Sequence, residues 1–131
     1  MGFMDWNDRF SIGVPAMDAQ HQTLIAAMND LHRRATEGAP AAEVLRRVDD
    51  LAAKTAKHFA EEEAYMASIG FDGLAQHQII HRKLLERLGG HREAIAKTGQ
   101  AGDDLFTFLR HWLSSHICGI DTRYAAVAAA R

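Results

Sequence analysis

Four stretches of this chain repeat apolar residues every three or four positions, and all four apolar stripes also carry histidine. Leu24, Ile25, Met28 and Leu31 follow His21. Val44, Leu45, Val48, Leu51, Ala52 and Thr55 run on to His58 and Glu62. Leu84, Leu85 and Leu88 follow His77 and His81, and Leu105, Phe108, Leu109, Trp112 and Leu113 precede His116. A period of three to four residues is that of an amphipathic helix whose stripe turns inward. Four stripes that each place imidazole among core residues must therefore pack around one polar cluster.

The breaks between stretches set the architecture. Asp18 is expected to cap a helix over 19–37, which ends at Gly38-Ala39-Pro40. The second helix starts near Pro40 and reaches about Ser68, where Gly70-Phe71-Asp72-Gly73 turns the chain. A third spans about 74–97, with Gly89-Gly90 as a kink or fraying point inside it. A fourth spans about 103–118 after the loop 98–102. Long helices with short connections predict an all-α, up-down-up-down four-helix bundle. Nothing reads as a strand. At 131 residues the chain is read as one domain, 1–131. Residues 1–17 are an extended N-terminal arm, 18–118 the bundle, and 119–131 a short C-terminal helix.

The bulk properties exclude several functions. A net charge of −2 with interspersed Lys and Arg lacks the basic stripe that nucleic acid or an anionic membrane surface requires. No apolar run approaches the ~20 residues of a membrane span, and the first ten residues lack a secretory apolar core. Cys118 is the only cysteine, so a disulfide framework is excluded. A cytoplasmic monomer is expected, since no large apolar face is left over.

Residues four apart on a helix share a face, one turn from each other. His58 with Glu62, and His77 with His81, therefore reach inward together. Across short antiparallel connections, His21, His58, Glu62, His77, His81 and His116 fall at similar depths. Asp121 lies five residues after His116, and a break at Gly119 lets it return to the same level. Five imidazoles and two carboxylates exceed the four ligands of a lone zinc ion. They are also too nitrogen-rich for calcium or magnesium. Imidazole with carboxylate suits a pair of iron ions. The Glu-x-x-His spacing of carboxylate-rich di-iron bundles is missing, which makes this donor set imidazole-rich.

These segments resemble the hemerythrin family, in its single-domain bacterial form. They are Gly13-Val14 after a tryptophan-bearing arm, Asp18-Ala19-Gln20-His21, His58-Phe59-Ala60-Glu61-Glu62, His77-Gln78-Ile79-Ile80-His81, and His116-Ile117-Cys118-Gly119-Ile120-Asp121. The resemblance implies a non-haem, oxo- or hydroxo-bridged pair of iron ions with O2 as ligand. It implies His77, His81 and His116 on one iron, His21 and His58 on the other, and Glu62 and Asp121 bridging both.

It further implies reversible O2 storage, or delivery to an oxygen-consuming enzyme, with no catalysis. The alternatives are a di-iron enzyme or stress protein, acting in peroxide or nitric oxide reduction or iron-centre repair, or an O2 or redox sensor. Helical spacing to the ligands nominates Leu24, Ile25, Met28, Leu109, Trp112 and Leu113 as the lining of a dry O2 pocket, and adjacency to a ligand in sequence adds Phe59 and Ile80. His32, His91 and His111 are expected on the surface, and Glu61 and Glu63 in solvent, turned away from Glu62.

Overall fold

The computed structural model describes residues 14–112, with 116 and 126. The expected N-terminal arm up to residue 13, the C-terminal helix, Leu113, Cys118 and Asp121 lie outside the described residues. Within them the chain forms α1 (Pro15–Thr36), α2 (Ala41–Ser68), α3 (Leu74–Thr98) and α4 (Asp103–Trp112), with no strand among them.

Side-chain pairs between neighbouring helices fix the directions. Asp30 meets Arg47 while Arg34 meets Glu43 on α1 and α2. Asp49 meets Arg92 while Glu63 meets His81 on α2 and α3. His91 stacks on Phe108 while His81 reaches His116. In each case the partner moves backward as the first residue moves forward, so successive helices are antiparallel and the bundle runs up-down-up-down.

One boundary differs from expectation. The first helix begins at Pro15, so Asp18 lies inside its first turn, where its N–H donates to the Val14 carbonyl at 2.9 Å. Val14, in extended conformation, occupies the cap position. Proline suits the first helical residue because its missing N–H has no intrahelical acceptor and its φ is already helical. The Asp18 carboxylate still favours the positive end of the helix from within the first turn. At the far end of α3, Gly99 adopts φ +76° and its N–H reaches the Ile95 carbonyl at 2.7 Å, a left-handed close that glycine makes without a steric penalty.

Gly89-Gly90, expected to kink or fray α3, lies within one uninterrupted helix. A Cβ at either glycine meets nothing within 4 Å. Gly89→Ala and Gly90→Ala should each raise unfolding free energy by about 0.5–1 kcal/mol through reduced freedom of the unfolded chain. Urea titration checks this, and a destabilised variant would show that α3 needs its glycines.

The stripes build two apolar clusters. The larger joins Leu24, Ile25, Met28 and Leu31 of α1 to Val44, Val48, Leu51 and Phe59 of α2. Leu88 and Ile95 of α3 and Leu105, Phe106, Phe108, Leu109 and Trp112 of α4 complete it. The smaller pairs Met17 with Met66, flanked by Val14, Tyr65, Ile69, Phe71 and Leu74 near the α2–α3 turn. Along α1, α2 and α3, the inward histidines fall between members of these clusters. Apolar packing thus closes the space between them from both ends.

Candidate metal centre

Glu62 sits in that space with 0 % exposure, and His21, His58, His77, His81 and His116 are all buried around it. Its two oxygens face different partners. Oε1 lies 2.9 Å from Nε2 of His81, 3.6 Å from that of His77 and 3.9 Å from that of His116. Oε2 lies 3.5 Å from Nε2 of His58 and 3.7 Å from that of His21. The His116 Nε2 is in turn 3.3 Å from that of His77 and 3.2 Å from that of His81. Two donor groups result, sharing Glu62: His77, His81 and His116 in one, His21 and His58 in the other.

Local sequence explains part of this and helix packing the rest. The four-residue steps from His58 to Glu62 and from His77 to His81 put each pair on one helical face. The antiparallel register of α2 and α3 then brings the faces together. His21 and His116 arrive from α1 and from beyond the described part of α4. Burial pushes the Glu62 carboxyl towards its neutral form, but the imidazoles of His116, His21, His77 and His81 outweigh that and hold it far below the ordinary carboxylate range.

The outer nitrogens show whether this donor set fits a cation. Nδ1 of His81 lies 2.9 Å from Oε2 of Glu63. A carboxylate only accepts, so Nδ1 carries the proton. Nδ1 of His58 lies 2.6 Å from Oε1 of Gln20, whose Nε2 donates to Glu61. That donation orients the amide and makes Nδ1 of His58 a donor too. A His81 or His58 ring that carries its proton on Nδ1 alone points the Nε2 lone pair at a carboxylate oxygen. At these distances the arrangement calls for positive charge between ring and carboxylate, supplied by a proton on Nε2 or by a bound cation in its place. The donor set therefore fits cations held by His77, His81, His116 and Glu62 on one side and by His21, His58 and Glu62 on the other. Asp121, the second expected bridge, lies outside the described residues.

Glu63 corrects the sequence reading, which left it in solvent: it is half-buried against His81, whereas Glu61 is exposed as expected and bonds Gln20. One residue on either side of Glu62 is about 100° around the helix. On α2 those directions lead to Gln20 of α1 and to His81 of α3. Gln20 was overlooked, and no local spacing marks it. Of the remaining histidines, His111 is exposed as expected. His32 and His91 are half-buried, against Phe106 and Phe108. None of the three joins a donor group.

Leu24, Ile25, Met28, Phe59, Leu109 and Trp112 are all buried. Phe59 stacks on His81 with ring centres 3.7 Å apart and planes 2° from parallel. A cleft of about 480 Å³ between α3 and α4, lined in part by Ile80, Leu84, Phe108 and Trp112, reaches His116. Another of about 290 Å³ between α1 and α2 reaches His58 past Gln20 and Glu61.

The fold and this cluster define a helical bundle whose buried histidines and shared carboxylate form a donor set suited to cations. The family model for the hemerythrin HHE cation binding domain matches residues 12–128. The chain is 34 % identical to a bacteriohemerythrin of Stenotrophomonas maltophilia, over 95 % of this chain and 81 % of the relative. It is 29 % identical to a myohemerythrin of Riftia pachyptila, over 91 % and 88 %. A crystal structure of wild-type hemerythrin superposes with a TM-score of 0.86 at 29 % identity, over 95 % of this chain and 96 % of that one. The chain belongs to the hemerythrin family.

Proposed function

We propose that this chain binds O2 reversibly at a non-haem di-iron centre and serves oxygen storage or delivery to oxygen-requiring enzymes in the reducing cytoplasm, without catalysing a reaction of its own. The observation that carries this reading is the division around Glu62, three imidazoles facing one oxygen and two facing the other. Unequal donor sets leave one side with fewer protein ligands, and that side is where a small diatomic ligand has room. His77, His81, His116, His21, His58 and Glu62 would hold the irons, with Asp121 as second bridge. When bound, the iron pair supplies the electrons that O2 borrows on binding and returns on release.

The chain's own residues have three tasks. The ring nitrogens keep the centre imidazole-rich and close to neutral. Glu62 ties the two donor groups together. Leu24, Ile25, Met28, Phe59, Leu109, Trp112 and Leu113 keep water from the site, because water and anions promote irreversible oxidation. Among the described residues no helix is long and apolar enough to cross a membrane.

The test is the visible spectrum of the iron-loaded, reduced protein, exposed to air and then degassed. A charge-transfer band that appears and vanishes through repeated cycles is the expected result. A band that forms once and decays to a ferric spectrum would favour peroxide chemistry or sensing. Ile25→Thr should shorten the life of the oxygenated form at full iron content. An unchanged rate would remove Ile25 from the pocket.

A further inference from the structure

The structure assigns Gln20 and Glu63 as positioning residues, each locking the imidazole of one donor group by a different chemistry. This rests on the cation-binding reading of the site. On the three-histidine side the lock is direct and charged: Glu63 Oε2 accepts from Nδ1 of His81 at 2.9 Å. On the two-histidine side it is a neutral amide, Gln20 Oε1, accepting from Nδ1 of His58 at 2.6 Å and itself oriented by Glu61.

Each lock does the same geometric work. It places the proton on Nδ1 and turns the Nε2 lone pair to Glu62. Its electrostatic effect differs. A carboxylate against Nδ1–H pushes electron density into the ring and strengthens Nε2 as a donor. An amide does this less, because its oxygen carries only a partial charge. Both locks are half-buried and line surface clefts, Gln20 with Lys54, Lys57 and Glu61, and Glu63 with Gln78 and Arg82. The two cations are therefore held unequally. The His21–His58 side, with fewer imidazoles and the weaker lock, exchanges first.

Cobalt(II) substitution tests this without recourse to oxygen chemistry, since its visible absorption reports ligand field and its loss to a chelator gives a release rate for each ion. The unmodified protein should release two cobalt ions in two phases. Gln20→Leu should speed the fast phase, and Glu63→Leu the slow one, each by about 10–100-fold, the usual cost of removing a ligand's outer partner. Glu63→Gln, which retains an acceptor but no charge, should restore most of the slow phase with a shifted cobalt spectrum. Circular dichroism of the metal-free variants should match the unmodified chain.

Wild-type release rates in both leucine variants would overturn the assignment while leaving the metal centre standing. So would a glutamine variant no better than leucine. An unmodified chain that takes up no cobalt would overturn the centre, and this inference with it.

Discussion

Glu62→Gln should abolish stoichiometric iron binding while leaving the helices intact. Glutamine has nearly the shape of glutamate, so packing changes little. What disappears is the negative charge with one oxygen directed at each group of imidazoles. Loss of an outer partner already weakens a metal by 10–100-fold, so loss of the shared ligand should cost at least about 100-fold in affinity for both ions. Iron assay after desalting reads the outcome, with His32→Ala and His91→Ala as controls. Those histidines contact Phe106 and Phe108 and lie outside both donor groups, so their variants should retain full iron. Unchanged iron in Glu62→Gln would refute the shared-ligand geometry.

Phe59→Ala should be the most destabilising change among the aromatic residues beside the site. The ring is 2 % exposed. It stacks face to face on His81, meets Trp112 edge-on at 5.9 Å, and lies within 6 Å of the rings of His58 and His116. Removing it leaves a cavity that four helices would have to close, at a cost of about 3–5 kcal/mol in unfolding free energy. Phe59→Leu should lose less, because it keeps most of the buried volume. Denaturant unfolding of the metal-free chain separates this from any effect on iron. A loss under about 1 kcal/mol for Phe59→Ala would mean that the pocket collapses freely around His81.

The two substitutions probe parts of the site that differ in how visible they were beforehand. His58, Glu62, His77 and His81 announce themselves by four-residue steps within an apolar stripe, a regularity that any helix imposes. The spans of α2 and α3 were equally readable, bounded by Pro40, the Gly70–Gly73 turn and Gly99. The start of α1 was misread because aspartate is a strong cap former, while Pro15 serves equally as the end of an arm or the first residue of a helix. Gly89-Gly90 suggested a kink or fraying point, and α3 continues through both residues. A helix held along its length by packing absorbs about 1 kcal/mol per glycine without breaking.

Periodicity by itself determined which residues face inward, since a helix has one repeat and a stripe has one side. That was enough to specify a four-helix bundle with five histidines and a glutamate turned to its centre. Only the tertiary structure decided which oxygen of Glu62 meets which imidazoles, and that Glu63 and Gln20 hold the outer nitrogens of His81 and His58. These are contacts between helices. They depend on the rotation and axial register of one helix against the next, set by the combined packing of both apolar clusters rather than by any local run of residues.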